Sequence, residues 1–225
     1  MVTNSVKALM VLATALFVGQ VDAREKPVLP KQTAALSVLR PYAGEHTGNL
    51  PLRASVGPES SAPYGWVDFC QRYRAECDTK PLPAVDVVMT PAVWGAVQQV
   101  NRWVNDSVTP ISDWEHWGLE DQWDYPIDGK GDCEDYALLK RRMLMDAGVP
   151  RQALLMTVVR DENDEGHAIL TLRTSNGDYV LDNKINEIKL WSATGYRYVK
   201  RQSQEDPNDW VSLKGNDVPS TAATR

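Results

Sequence analysis

The sequence is poor in the features that mark several large classes of protein. Its 225 residues include only three cysteines, and they contain no dense run of lysine or arginine. With a formal net charge of −6, the chain lacks the basic surface that binding of nucleic acid requires. It also lacks an apolar run of the ~20 residues that span a membrane. The sequence therefore argues against a nucleic-acid partner and against a stable membrane span.

The longest apolar stretch stands at the N-terminus. Lys7 precedes an apolar run over residues 8–18, and a small-residue pattern, VDA, ends at Ala23. This order is typical of a secretory signal peptide, and it predicts cleavage after Ala23. An uncleaved anchor is the alternative. We therefore expect residues 1–23 to be removed and the mature chain to be exported.

The three cysteines divide into a pair and a single residue. Cys70 and Cys77 are close in sequence, and export favours a disulfide between them. In one regular helix their Cα atoms would lie ~10 Å apart, so a disulfide requires residues 71–76 to bend back. Two free thiols or a metal-binding pair are the alternatives. Cys133 is left unpaired, which makes it a candidate reactive thiol.

The order of the predicted elements is helices first and strands afterwards. Residues 24–63 are read as an irregular arm, and a capping threonine followed by proline predicts a helix over 91–105. A second helix is predicted over 133–147, and strands over 154–160, 168–173, 179–181 and 196–200, with a hairpin turn at Asn176-Gly177. This order predicts an α+β domain over 64–213 and a flexible tail over 214–225.

A long segment between the two helices is rich in tryptophan. Residues 107–131 carry Trp114, Trp117 and Trp123 among acids, prolines and glycines. Loops of this length within a compact domain are usually functional or disordered, and tryptophans favour order because they need a surface to pack on. The loop is therefore expected to form the wall of a cleft or to bind a regulator.

Cys133 opens the second predicted helix, in the run GDCEDY. A helix N-terminus favours a thiolate, and the charged neighbours of this cysteine make a poor setting for a core thiol. His167 follows Gly166 at the head of a predicted strand, which would hold its imidazole rigidly. We predict that Cys133 is a nucleophile and that His167 exchanges its proton. A buried structural cysteine and a core histidine are the alternatives.

A third residue is needed to orient the histidine, and three candidates remain. Asp182 follows a predicted strand and would hold the imidazole in one tautomer. A two-residue turn at Asn176-Gly177, however, pairs His167 with Asn186 and Asp182 with Thr171. A longer loop or a bulge would be needed to bring Asp182 to the histidine, so Asn183 and Asn186 are alternatives for this role.

Acidic residues surround the candidate nucleophile. Asp132, Glu134 and Asp135 complement the helix dipole, but carboxylates beside a thiolate oppose its ionisation. A hard cation would neutralise them, and calcium suits oxygen ligands in flexible geometry. The sequence has no EF-hand spacing here. Calcium at these three acids is therefore one expectation, and simple helix capping is the other.

These motifs together resemble a known family. The run from Trp123 through GDCEDYALLKRRMLMDAGVP, followed by GHAILTLRT and VLDN, is similar to the bacterial transglutaminase-like cysteine peptidases, which include the LapG-like periplasmic proteases. The resemblance to this family also includes the upstream GW and FCQR motifs, Cys77 and the DWEHWG run. The resemblance covers roughly residues 64–213.

The resemblance implies a papain/transglutaminase-like fold in which Cys133, His167 and Asp182 form the catalytic triad. It implies a periplasmic endopeptidase that depends on calcium held by Asp132, Glu134 and Asp135. LapG-type members cleave a large surface adhesin at a pair of alanines, which releases biofilm cells, and a membrane receptor that senses cyclic-di-GMP inhibits them. The substrate and the receptor are therefore expected partners.

Two other functions fit the same residues. Transglutaminase or amidase chemistry would use the same triad with an amine competing against water. A catalytically silent module would keep the fold and bind peptides without cleaving them. The response to an added amine and the effect of Cys133→Ala distinguish these functions from hydrolysis.

Overall fold

The structure is a computed structural model, and it describes residues 52–214. The predicted signal peptide, most of the predicted arm and residues 215–225 lie outside the described residues. Within residues 52–214, every helix is too short or too polar to cross a membrane.

The described chain contains five α-helices and nine strands. The helices are α1 (Tyr64–Arg72), α2 (Arg74–Cys77), α3 (Pro91–Ser107), α4 (Asp113–Trp117) and α5 (Cys133–Asp146). The strands are β1 (Ser55–Ser60), β2 (Thr109–Pro110), β3 (Lys130–Gly131), β4 (Leu154–Arg160), β5 (Gly166–Thr174), β6 (Gly177–Leu181), β7 (Lys189–Leu190), β8 (Arg197–Gln202) and β9 (Trp210–Lys214). Helices precede most strands, so the predicted α+β class is confirmed.

Seven of the strands form one antiparallel sheet. Its order is β1-β9-β8-β4-β5-β6-β7, and α5 packs on β4 and β5 and against α3. The remaining pair, β2 and β3, is parallel and lies just before α5. The centre of the sheet thus supports the helix that carries Cys133.

The apolar spacing of α3 explains its place in the core. Thr90 accepts a hydrogen bond from the N–H of Val93, and Pro91 occupies the first turn. Val97 and Val104 lie on one face and are fully buried. The predicted helix is confirmed, and it continues two residues beyond the predicted end at residue 105.

The predicted disulfide is confirmed. Cys70 and Cys77 are bonded, with their Cα atoms 5.5 Å apart. The required bend occurs at Tyr73, where α1 ends and α2 begins. The two short helices therefore form a hairpin that the disulfide closes.

Three local predictions differ from the structure. The segment read as an irregular arm contains β1, which pairs with β9 at the sheet edge, and Lys214, placed in the tail, belongs to β9. The segment over 107–131 is not one loop, because it contains α4 and the β2–β3 pair.

Candidate active site

The thiol of Cys133 lies where α5 meets the sheet. Cys133 is the first residue of α5, directly after the N-cap residue Asp132, whose N–H donates to Asp135 at 3.4 Å. The sulfur accepts a hydrogen bond from the N–H of Ala168 in β5 at 3.3 Å. The thiol is therefore next to the backbone of the residue that follows His167.

His167 and Asp182 form a buried pair. Nε2 of His167 lies 3.0 Å from Oδ1 of Asp182, and each side chain is 3% exposed. Because Nε2 faces the carboxylate, Nδ1 is the nitrogen that remains to exchange a proton with a thiol. The structure thus brings together the histidine and the carboxylate named from the sequence, beside the strand residue that contacts Cys133.

The register of the β5–β6 hairpin brings this pair together. Thr174 pairs with Gly177, so the two-residue turn is Ser175-Asn176, one residue earlier than predicted. Leu170 pairs with Leu181, which places Asp182 beside Ile169, two residues from His167 on the same face. The predicted pairing of His167 with Asn186 is wrong, and neither a longer loop nor a bulge is needed.

The two asparagines that were alternatives to Asp182 do not bond to the histidine in this structure. Oδ1 of Asn186 accepts a hydrogen bond from Asn105 at 2.8 Å. Oδ1 of Asn183 is buried without a partner among the described residues. Oδ1 of Asp182 accepts the N–H of Lys184 at 3.0 Å as well as the contact with His167. The orienting position is therefore occupied by Asp182.

The carboxyl group of Asp182 is held ionised. Burial by itself raises its pKa, but the hydrogen bond and charge of His167 and the hydrogen bond from Tyr196 outweigh that effect and lower the pKa to about 2. Tyr196 was not singled out from the sequence. It lies in a turn before β8, and no local pattern indicates where its side chain reaches.

Four carboxyl groups gather around the nucleophile. Oxygen atoms of Asp113, Asp132 and Asp135 lie within 4.8 Å of one another, and ligand atoms of Asp132, Cys133 and Glu134 form a second such group. The predicted acids Asp132, Glu134 and Asp135 are therefore close together. Asp113, at the start of α4, is an addition; the N–H of this residue donates to Asp132 at 3.2 Å.

These acids repel one another in a buried setting. Burial, followed by the charge of Asp132, raises the pKa of Asp113 to about 6, and burial raises the pKa of Asp135 to about 8. Burial also raises the pKa of Asp132 and of Glu134. The pKa of the Cys133 thiol is raised by burial and then by the charge of Glu134. The acids thus disfavour a thiolate unless their charge is neutralised.

The donor set fits a hard divalent cation. Oδ1 of Asp132 is buried without a hydrogen-bond partner among the described residues, and the ligand atoms that Asp113 and Asp135 place beside Asp132 are carboxylate oxygens. Calcium takes six to eight such oxygens in flexible geometry. The residues present therefore fit calcium, and they would supply several, though not all, of its ligands.

The tryptophan segment has both buried and exposed parts. Trp123 is 2% exposed and meets the rings of Trp66 and Trp210 edge-on, at 6.2 and 6.3 Å. Trp114 and Trp117 are 67% and 47% exposed. One tryptophan thus anchors the segment in the core, while two lie at the surface on α4, next to the acid cluster.

The other two histidines lie elsewhere. His116 stacks on Trp117, and its Nε2 lies 2.9 Å from Asp128. His46 lies outside the described residues. The structure describes two histidines. Of these, His167 is the one that pairs with Asp182 and precedes the residue whose N–H contacts the Cys133 sulfur.

Comparison with known proteins yields one family and a set of solved structures. The model of the bacterial transglutaminase-like cysteine proteinases matches residues 56–218. Calcium-bound LapG of Legionella pneumophila is 23% identical, over 56% of this chain and 74% of that chain, with a TM-score of 0.47. Another structure of the same protein is 28% identical, over 55% of this chain and 71% of that chain, with a TM-score of 0.47. A structure of the EGTA-treated protein is 25% identical, over 57% of this chain and 74% of that chain, with a TM-score of 0.46.

No curated protein matches the chain. The family model, in contrast, covers most of the described residues, including the segments that carry Cys133, His167 and Asp182. A peptidase of this family acts on protein substrates. The chain belongs to the bacterial transglutaminase-like cysteine proteinases.

Proposed function

We propose that this protein is a calcium-dependent endopeptidase in which Cys133, His167 and Asp182 form the catalytic triad. The observation that carries the proposal is the pairing of His167 with Asp182 at 3.0 Å, next to the Ala168 N–H that contacts the Cys133 sulfur. A nucleophile, a base and a group that orients the base are thereby adjacent, as a cysteine peptidase requires.

In the proposed reaction, Cys133 gives its proton to Nδ1 of His167 and its sulfur attacks the carbonyl carbon of the peptide bond. The backbone N–H of Cys133, at the first position of α5, is a donor for the oxyanion because helix N-termini leave such groups unpaired. His167 then protonates the leaving amine, and an acyl-enzyme forms on the sulfur. His167 next takes a proton from water, which attacks the acyl carbon and releases the acid.

The acid cluster fits this mechanism when it holds calcium. Asp113, Asp132, Glu134 and Asp135 would hold the ion. When bound, the ion neutralises charges that otherwise oppose a thiolate at Cys133. We therefore expect chelation to suppress the reactivity of Cys133 rather than to unfold the active site.

The proposed location is the periplasm, and the proposed substrate is a large surface adhesin. The signal-peptide pattern over residues 1–23 supports the location, and membership of the family supports the substrate class. An inhibitory membrane receptor belongs to the same proposal. If the location is correct, protein recovered from the periplasmic fraction begins at Arg24.

The experiment that tests the activity compares the protein with its Cys133→Ser variant on cells of the source bacterium. The exported and surface proteins are incubated with each in calcium and in EGTA, and new N-termini are identified by mass spectrometry. Termini that appear only with intact Cys133 and calcium support the proposal, and termini after paired alanines in one large surface protein support the adhesin. Equal termini with the variant, or none at all, would overturn it. Products that join an added primary amine would instead indicate acyl transfer.

A further inference from the structure

The carboxylate of Asp182 has a third hydrogen-bond partner, in addition to the side chain of His167 and the backbone N–H of Lys184. The hydroxyl of Tyr196 donates to Oδ2 at 2.6 Å, on the oxygen that the other two donors leave free. Asp182 is 3% exposed, so without this donor Oδ2 would be a buried carboxylate oxygen lacking a hydrogen bond from these groups.

Tyr196 also contacts the histidine directly. Its ring lies edge-on to the imidazole of His167, with centroids 5.7 Å apart and an interplanar angle of 82°. One side chain therefore touches both members of the buried pair. The hydroxyl fixes the carboxylate, and the ring restricts rotation of the imidazole that the carboxylate holds.

The backbone before β8 fixes where Tyr196 points. Gly195 has a φ of +80°, which turns the chain sharply after the short 3₁₀ turn Trp191–Ala193. The N–H of Tyr196 donates to Oγ1 of Thr194 at 3.2 Å, and the hydroxyl of Thr194 in turn donates to the carbonyl of Trp191 at 2.9 Å. The side chain is thus supported by an ordered turn rather than by a long loop.

We propose that Tyr196 is a positioning residue that holds Asp182, and through it His167, in the geometry that proton transfer from Cys133 requires. The inference rests on the proposed function and adds a fourth residue to the triad. Its role is exerted through Asp182, because the hydroxyl bonds to that carboxylate and not to the reacting thiol.

The test compares two hydroxyl deletions, Tyr196→Phe and, as the control, Tyr64→Phe. Tyr64 is the first residue of α1 and is 75% exposed, and it belongs neither to the turn that supports Tyr196 nor to the candidate site. Loss of a hydrogen bond to a charged group predicts a fall in kcat of about tenfold or more for Tyr196→Phe. For Tyr196→Phe, KM and the urea midpoint should change little, and Tyr64→Phe should keep full kcat.

A double-mutant cycle separates positioning from a merely structural effect. In an Asp182→Asn background, Tyr196→Phe should cause little further loss of activity, because the group through which it acts is already altered. Independent losses that multiply, or an unchanged kcat in Tyr196→Phe, would overturn the inference. Either result leaves the proposed function standing as long as hydrolysis is lost in Cys133→Ser, so failures of the two proposals are distinguishable.

Discussion

The sulfur of Cys133 lies 3.1 Å from Oε2 of Glu134. Glu134 is the next residue in the chain, and burial raises its pKa well above the usual range. Burial and the charge of Glu134 raise the pKa of the Cys133 thiol, so the thiol favours its protonated form and donates this hydrogen bond to the Glu134 carboxyl group. The charge of the acid cluster therefore affects the ionisation of the Cys133 thiol. Calcium bound at the cluster should change that charge and so change the reactivity of the thiol.

Calcium should control how readily Cys133 is alkylated. We expect iodoacetamide to react at least about tenfold faster at pH 7 in calcium than in EGTA, because neutralised acids no longer oppose the thiolate. The rate is measured against pH in each condition, with Cys133→Ser as the blank. Equal profiles in calcium and EGTA would contradict a metal site at this cluster.

Asp113 should contribute to calcium affinity, although it was not among the metal ligands predicted from the sequence. Asp113→Asn removes one of the carboxylates that lie within 4.8 Å of one another, and we expect calcium affinity to fall about tenfold or more. Isothermal titration calorimetry measures the affinity. Asp146→Asn, at the exposed C-terminal end of α5, is the control and should keep the affinity of the unaltered protein.

Asp182 and its neighbouring asparagine should differ strongly in their effect on catalysis. Asp182→Asn removes the charge that stabilises the imidazolium, and we expect kcat to fall about 10³-fold or more. Asn183→Ala should keep kcat within a factor of about three, since its Oδ1 has no partner among the described residues. A comparable loss in both variants would contradict Asp182 as the residue that orients His167.

Lys140 should make stability increase with pH. This side chain is fully buried and its Nζ has no hydrogen-bond partner among the described residues. Burial lowers its pKa from 10.5 to about 7, with an opposing effect of Asp182. Between those values the unfolded chain binds more protons than the folded one, so this group contributes a rise in stability with pH of at most about 1.4 kcal/mol per pH unit.

Replacing Lys140 by methionine tests whether the buried lysine makes stability rise with pH. We expect Lys140→Met to be more stable than the unaltered protein at pH 7 and below. The difference should shrink toward pH 10, because the lysine of the unfolded chain then also loses its proton and burying the neutral amine costs less. Urea unfolding at several pH values between 6.5 and 10 measures this. Lys80→Met, on an exposed residue, should show no such trend. A destabilised Lys140→Met at every pH would mean that the ammonium stabilises the fold.

The disulfide should stabilise the α1–α2 hairpin. Replacing Cys70 and Cys77 together by serine opens a short loop, and we expect a loss of about 2–3 kcal/mol in the free energy of unfolding. Urea unfolding of the double variant measures the loss. The same experiment on the unaltered protein in reducing agent should give a similar result, and no change in either would contradict a disulfide that forms in solution.

Much of the fold was predictable because its signals are local. The capping threonine, the proline of α3, and the apolar spacing of α3 and α5 depend only on neighbours in the chain. Strands β4 and β5 were also found by their pattern. Strands β1 and β9 were missed, because β1 is a short edge strand that pairs only with β9, and β9 is a short strand held between β1 and β8.

The residues of the candidate site also differ in whether local sequence could predict them. The sequence by itself placed a cysteine at a helix start, acids around it and a histidine at the head of a strand, because each is a short-range pattern. Only the tertiary structure decided which carboxylate meets the histidine, since moving the hairpin turn by one residue shifts the pairing partner by two. It also decided that Asp113 joins the acids and that Tyr196 reaches Asp182, because these contacts join separate elements, 19 and 14 residues apart in the chain, and depend on how those elements pack.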